Sequence, residues 1–149
     1  MMFAFISIVV FFLMEGVSWF THKYVMHGFG WYLHEDHHKP KYKGFEKNDA
    51  FFVIFAIPSM LLFYFSSTVG YSYLAYMGLG ILGYGVAYFL IHDVLIHQRF
   101  KWFKNTNNRY LKGLRKAHKI HHKNMHKEKS QCFGMLFVPL KYFKKPKLN

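Results

Sequence analysis

Residues 50–91 read AFFVIFAIPSMLLFYFSSTVGYSYLAYMGLGILGYGVAYFLI, a run of 42 residues without one charged side chain. A helix that spans a bilayer takes about 17–25 apolar residues, so this run is long enough for two spans. The segment SSTVG at 66–70 interrupts it with polar residues and a glycine, which is typical of a turn. We therefore predict two helices, at about 50–66 and 72–91, that cross a membrane and return.

A third apolar segment lies near the start of the chain. Residues 3–20 contain one charged side chain, Glu15, and no lysine or arginine. The segment lacks the basic start and the small-residue cleavage site of a signal peptide, so we expect it to remain as a membrane anchor. Of the 149 residues, 52% are hydrophobic and only 18% are charged. This composition excludes a disordered chain and predicts one integral-membrane domain over residues 1–149, built of helices.

Positive charge is concentrated outside the three predicted spans. Residues 21–49 contain five lysines, and residues 92–149 contain fifteen lysines and arginines. Because basic segments stay on the cytoplasmic side of a membrane, we place both segments there and the N-terminus outside. The net charge of +13 suits a lipid surface and an acidic protein partner. No nucleic-acid-binding motif accompanies it, so a nucleic-acid partner is not expected.

Ten of the eleven histidines fall into four clusters, and the order H-x4-H, H-x2-H-H occurs twice. The clusters are His22 and His27; His34, His37 and His38; His92 and His97; and His118, His121 and His122. Imidazole binds Zn, Cu, Fe and Ni. Ten ligands are too many for one ion, so the sequence predicts a site for two metal ions. His126 lies outside the pattern and is expected on the surface.

Helix geometry predicts how these clusters divide between two metals. Offsets of three and four residues place side chains on one face of an α-helix, so each triplet can point at one site. An offset of five turns the second side chain by about 140°. The two members of each H-x4-H pair are therefore expected to reach different metals. Asp36 and Asp93, which lie inside the motifs, are the predicted hydrogen-bond partners of the ligands.

Two further features lie outside the histidine clusters. Glu15 is an ionisable residue near the cytoplasmic end of a predicted span, where it is expected either to reach the surface or to pair with His22. The segment CFGMLFVPL at 132–140 is apolar but too short to span, so we expect it in the membrane interface or covering the cytoplasmic part. Aromatic residues are common in any membrane core, so no substrate-binding residue is predicted from them.

Four stretches of the chain together resemble a known family. They are HKYVMHGFGWYLHEDHHKP at 22–40, FEKNDAFFVIFA at 45–56, YFLIHDVLIHQRF at 88–100 and AHKIHH at 117–122. The histidine array resembles the fatty acid hydroxylase superfamily of membrane non-haem di-iron oxygenases. The F-E-x-N-D and H-D-x-L-x-H-Q-R stretches are similar to its carotenoid branch, the bacterial β-carotene hydroxylases, and the likeness covers most of the chain.

The resemblance implies three to four transmembrane helices with a His-rich cytoplasmic helical cap in the inner membrane of a bacterium. It implies that the ten clustered histidines hold two iron ions, which zinc can replace in isolated protein, with O2 as co-substrate. The implied reaction hydroxylates the β-ionone rings of carotenoids from the bilayer at C3, from β-carotene through β-cryptoxanthin to zeaxanthin. A ferredoxin-like donor would supply electrons, because the chain has no dinucleotide-binding fingerprint.

Other functions use similar residues. A fatty acyl or sterol hydroxylase and a carotenoid ketolase would have the same metal site, and no residue here identifies the substrate directly. A metal-transporting membrane protein usually places ionisable groups inside its spans, where this chain has only Glu15. A haem protein needs two axial histidines, which leaves eight of the ten without a role. These considerations favour the hydroxylase.

Overall fold

The computed structural model describes residues 2–39, 44–125, 128 and 130–143, and this part of the chain is helical with connecting loops and no β-strand. Its α-helices are α1 (Met2–Phe20), α2 (Trp31–His38), α3 (Ala50–Val69), α4 (Ser72–Phe89) and α5 (Arg109–His121). Two π-helical segments, Thr21–Phe29 and Leu90–Ile96, directly follow α1 and α4. Short 3₁₀ turns occur at Lys47–Asp49, Lys101–Phe103 and Leu140–Phe143. The predicted all-helical fold is therefore confirmed.

Three helices are long and apolar enough to cross a membrane: Phe3–Phe29, Lys47–Val69 and Ser72–Ile96. The described residues contain no fourth helix of this kind. Each of the three includes one of the segments predicted from the charge pattern. They are longer than predicted because a π-helical segment or a 3₁₀ turn extends each helix beyond its apolar part.

The three long helices form a bundle in which α4 packs against both α1 and α3. Gly80 allows the first contact, since a Cβ atom there would lie 2.7 Å from the carbonyl oxygen of Ser7. On the other side, the hydroxyl of Ser59 donates a hydrogen bond of 2.8 Å to the carbonyl oxygen of Gly78. Small residues at helix contacts are the usual way for helices to approach closely in lipid. The bundle is therefore held by close backbone packing.

The direction of the three helices brings the polar segments to one end of the bundle. Helix α1 ends there, α3 begins there and α4 ends there. Helices α2 and α5 lie at this same end, together with the apolar segment 132–140. The turn between α3 and α4, in which Gly70 has a φ of 82°, lies at the opposite end of the bundle. All four histidine clusters are therefore carried to one side of the spans, as the charge pattern requires.

Candidate metal centre

The structure gathers the ten clustered histidines into two groups. Ligand nitrogens of the first group lie within 4.8 Å of one another and belong to His22, His27, His34, His38 and His121. Those of the second group meet the same limit and belong to His37, His97, His118 and His122. The Nε2 atom of His92 lies 3.0 Å from Nε2 of His37, which adds a fifth histidine to the second group. His126 lies outside the described residues.

The H-x4-H pairs are not divided between the two groups, so the prediction that the members of each pair reach different metals is wrong. His22 and His27 both lie in the first group, and His92 and His97 both lie in the second. The cause is the π-helix, in which residue i bonds to residue i+5 and side chains five apart lie on the same side. The backbone N–H of His97 donates to the carbonyl oxygen of His92 at 2.9 Å, which is this bond.

The H-x2-H-H triplets are divided instead. His34 and His38 stay with the first H-x4-H pair, whereas His37 lies in the second group. On an α-helix the middle residue points about 60° and 100° away from its two neighbours in the triplet, so it faces a different point. In the second triplet the middle residue, His121, lies in the first group. The first triplet therefore gives His37 to the second group, and the second triplet gives His121 to the first group.

The Nδ1 atoms of six histidines contact oxygen atoms at 2.7–3.1 Å. The partners are the carbonyls of Phe133 for His22, Met125 for His27 and Gln131 for His121, and the side chains of Asn48 for His34, Glu46 for His37 and Asp93 for His92. Carbonyl and carboxylate oxygens only accept hydrogen bonds. The proton of each neutral ring is therefore on Nδ1, and Nε2 keeps its lone pair.

The Nε2 atoms of these six histidines face one another in pairs. The pairs are His22 with His34, His27 with His121, and His37 with His92, at 3.1, 3.1 and 3.0 Å. With both protons on Nδ1, no hydrogen lies between the facing nitrogens, and two lone pairs at this distance repel each other. Two imidazole nitrogens bound at right angles to one metal, at about 2.1 Å each, would lie about 3.0 Å apart. The geometry thus fits rings that share a metal ion.

Burial keeps these histidines uncharged at neutral pH. It lowers the pKa of His34 and of His97 to about 3, and the pKa of His122 to about 4. The pKa values of His37 and His118 are held well below the usual value by burial first and by the neighbouring histidines second. Neutral imidazole is the form that binds a metal, and an all-imidazole donor set suits a transition metal rather than Mg²⁺ or Ca²⁺.

The F-E-x-N-D stretch supplies two residues that contact clustered histidines and that were not predicted to do so. Glu46 Oε2 lies 2.8 Å from Nδ1 of His37, and Asn48 Oδ1 lies 2.7 Å from Nδ1 of His34. Both residues sit at the 3₁₀ turn that leads into α3, opposite α2. In the sequence they are marked by the resemblance of the F-E-x-N-D stretch to the carotenoid branch and by their position directly before an uncharged span, and neither feature assigns them to a particular histidine.

Of the two acidic residues predicted to orient ligands, one does so and one has another contact. Asp93 Oδ2 lies 3.1 Å from Nδ1 of His92, and its Oδ1 pairs with Arg99 at 3.2 Å. Asp36 Oδ2 instead accepts a hydrogen bond of 2.6 Å from the backbone N–H of Lys47. Asp36 is thus directed to the start of the 3₁₀ turn Lys47–Asp49 and not to the histidines beside it on α2.

Replacing Glu46 is expected to weaken metal binding. In the Glu46→Ala variant, His37 loses the acceptor that fixes its ring, and such losses typically lower metal affinity about 10- to 100-fold. The measurement is metal content after dialysis of the purified protein against a graded series of chelator concentrations. Glu46→Gln is the matched control, since its amide oxygen still accepts the hydrogen bond and should retain most of the affinity. Equal metal retention by the alanine variant and the wild type would contradict this role.

An apolar cavity of about 450 Å³ lies between α1, α3 and α4. Most of its walls are phenylalanine, methionine, leucine and isoleucine side chains, with Met60 and Leu82 exposed on the outside of the bundle. At the other end, it is lined by Asn48, which contacts His34, and by Tyr88, whose ring lies 4.9 Å from that of His92. The cavity therefore extends from the outside of the bundle to residues that contact both histidine groups.

Comparison with known proteins agrees with this arrangement. A family model described as Fatty acid hydroxylase matches residues 7–143. The β-carotene hydroxylase of Pantoea ananas is 44% identical over 126 residues, covering 85% of this chain and 71% of that protein. The β-carotene hydroxylase of Pseudescherichia vulneris is 42% identical over 125 residues, covering 84% and 70%. No solved structure matches. The chain belongs to the fatty acid hydroxylase family.

Proposed function

We propose that this chain is a membrane oxidoreductase that hydroxylates the β-ionone rings of carotenoids at C3, taking β-carotene through β-cryptoxanthin to zeaxanthin. The observation that carries the proposal is an apolar cavity with Asn48 and Tyr88 in its wall, which contact one histidine in each of the two groups of five. The substrate class is supported by relatives named β-carotene hydroxylases at 34–44% identity over most of the chain. A chloroplastic β-carotene 3-hydroxylase of Arabidopsis thaliana, 35% identical over 131 residues, covering 85% of this chain and 42% of that protein, adds to this support.

The proposed ligands are the ten clustered histidines, five for each of two iron ions, and zinc is able to occupy the same nitrogens in isolated protein. When bound, the metal ions would supply the activation of O2 that hydroxylation requires. The protein's own part is to hold the rings: the oxygen contacts at Nδ1 fix their tautomer and direct Nε2 inward. The Phe133 side chain covers the first group, with its ring centroid 5.2–5.5 Å from those of three histidines.

The cavity fits a hydrocarbon ring better than a polar group. The Ser59 hydroxyl in its wall already donates to the carbonyl of Gly78, and the Tyr84 hydroxyl donates to Glu15. Asn48 likewise uses its side-chain oxygen at His34. Most of the wall therefore offers van der Waals contact, which would position an apolar ring with one carbon next to the histidine groups and keep water away from it.

We propose that electrons reach the site from another protein and that α5 offers the surface for it. The side of α5 that faces the bundle carries buried histidines, whereas Lys112, Lys116, Lys119 and Lys123 are exposed. We assign this surface to a ferredoxin-like donor with an acidic face, which opposite charge would guide towards α5. We also place both basic segments on the cytoplasmic side of a bacterial inner membrane, with residues 1–149 forming one domain.

Pigment analysis tests the proposed function. The chain is expressed in a bacterium that accumulates β-carotene and supplies a reduced ferredoxin, and extracted pigments are separated by chromatography. We expect zeaxanthin with some β-cryptoxanthin. Unchanged β-carotene, with the protein in the membrane and loaded with iron, would contradict carotenoid hydroxylation and direct the search to fatty acyl or sterol substrates. A keto product would retain the metal site and overturn the position of oxidation.

A further inference from the structure

Glu15 is a buried carboxylate in the middle part of a membrane-spanning helix. It is 6% exposed and lies two turns before His22 on the continuous helix Phe3–Phe29. Burying a carboxylate in an apolar environment is costly unless its oxygens accept hydrogen bonds. The partners of Glu15 therefore indicate why such a residue is placed there.

Both oxygens of Glu15 have partners, and neither is the expected one. Oε1 accepts hydrogen bonds from the backbone N–H groups of Met135, Leu136 and Phe137 at 2.8, 2.9 and 3.0 Å. Oε2 accepts one from the hydroxyl of Tyr84 at 2.7 Å. Three consecutive N–H groups around one oxygen form an anion-binding nest. Glu15 therefore neither reaches the surface nor pairs with His22, but fixes the apolar segment 132–140 to α1.

This segment leads directly to ligands of the first histidine group. Two residues before the nest, the carbonyl of Phe133 accepts the Nδ1–H of His22 at 2.9 Å. Two residues earlier still, the carbonyl of Gln131 accepts the Nδ1–H of His121 at 3.1 Å. Cys132, between these two carbonyls, has a φ of 62°, which a non-glycine residue adopts only when its surroundings impose it. The positions of the two carbonyls thus depend on what holds the segment.

Gly134 shows how closely the segment approaches the carboxylate. A Cβ atom at this position would lie 2.8 Å from Oε1 of Glu15 and 3.1 Å from the carbonyl oxygen of Phe137. Only a residue without a side chain lets the three N–H groups close around the carboxylate oxygen. The contact therefore depends on the carboxylate of Glu15 on one side and on the missing side chain of Gly134 on the other.

We infer that Glu15 is a positioning residue for the first metal site: through its nest it holds the Gln131 and Phe133 carbonyls where they orient His121 and His22. The inference rests on the proposed function, since it assumes that the histidine groups bind metal. It assigns to Glu15 no contact with the substrate or the metal. Its effect passes through the 131–137 backbone and concerns one of the two groups, because the described contacts of this segment with histidine nitrogens involve His22 and His121 of the first group. The neighbouring Ser130 hydroxyl, 2.9 Å from Nδ1 of His121, adds a contact to the same group.

The test is metal affinity in the purified full chain, loaded with two equivalents of Zn(II) and titrated with a chelator. In Glu15→Leu the nest loses its acceptor, so one of the two metals should leave at a chelator concentration about 10- to 100-fold lower than in the wild type. Gly134→Ala keeps the carboxylate and displaces the backbone, and it should give the same selective loss. Glu15→Gln retains an acceptor oxygen and Tyr84→Phe leaves the nest intact, so both should stay near the wild type.

Gly80→Ala is the matched control for general destabilisation. The same change there introduces a clash between α4 and α1, with the carbonyl oxygen of Ser7 2.7 Å away, but it is remote from the nest. It should lower thermal stability while both metals keep their affinity. Wild-type affinity at both sites in Glu15→Leu and Gly134→Ala, or equal weakening of both sites, would overturn the inference alone. A wild-type chain that binds no metal would overturn the proposed function as well.

Discussion

Changing His121 to alanine is expected to abolish carotenoid hydroxylation, with turnover falling by at least about 100-fold, while the protein still inserts into the membrane. His121 is completely buried, its Nε2 faces that of His27 at 3.1 Å, and its Nδ1 is held by the carbonyl of Gln131. The alanine variant removes a proposed ligand and also the contact that joins α5 to the first group. Pigment chromatography and metal content per chain measure the two consequences together. The same result is expected for His37→Ala.

Lys101→Ala is the control for this experiment. Its side chain is exposed, and it lies in the turn Lys101–Phe103, outside the histidine groups and the proposed donor surface. The variant should retain both metals and show normal product formation when the electron donor is in excess. If His121→Ala, or His37→Ala, retained turnover, the assignment of that residue as a ligand would be wrong.

Changing Gly85 to phenylalanine is expected to block the substrate and not the metal centre. Gly85 lies on α4 in the wall of the apolar cavity, and a Cβ atom there would have no neighbour within 4 Å. A phenyl ring would therefore extend into the cavity and displace a substrate ring from the histidine groups. Displacement of a substrate by about 1 Å can cost about 100-fold in rate, so a loss of that order is expected. Turnover and metal content are measured in the same preparation.

Val86→Phe is the matched control, because the neighbouring residue is exposed on the outside of α4. Adding a ring there should change neither the metal content nor the rate. A Gly85→Phe variant with normal turnover would show that the substrate reaches the metal centre by another route. Normal turnover in Val86→Phe together with a loss in Gly85→Phe would localise the effect to the cavity.

Much of the fold could be predicted because it depends on where charge is absent. The uncharged run 50–91 and the segment 3–20 each correspond to helices in the structure, since a bilayer accepts few other arrangements. The grouping of ten histidines likewise follows from their clustering. Their division between the two groups could not be predicted from the sequence, because it depends on two π-helical segments. No simple residue preference distinguishes a π-helix from an α-helix.

The groups that contact the Nδ1 atoms of the histidines were harder to predict from the sequence. Three of them are backbone carbonyls, of Met125, Gln131 and Phe133, and every residue has a carbonyl, so residue type carries no signal. Adjacency to a histidine in the sequence does not decide contact, because Asp93 contacts its neighbour His92 whereas Asp36 accepts a hydrogen bond from Lys47 instead. Glu46 could not be predicted in this way, since it contacts His37 from nine residues further along the chain.

The facing nitrogen lone pairs also have a consequence for how the protein forms. Several uncharged rings with their lone pairs directed at one another repel, and that repulsion disappears when a cation binds between them. We therefore expect metal binding to contribute to the folding free energy of the histidine-bearing part of the chain, as it does in small zinc proteins. The three spans pack through close helix contacts that involve no histidine pair, so we expect them to form without metal. The expected order of assembly is helix insertion first, followed by the drawing together of α2, α5 and the 131–137 segment when metal binds.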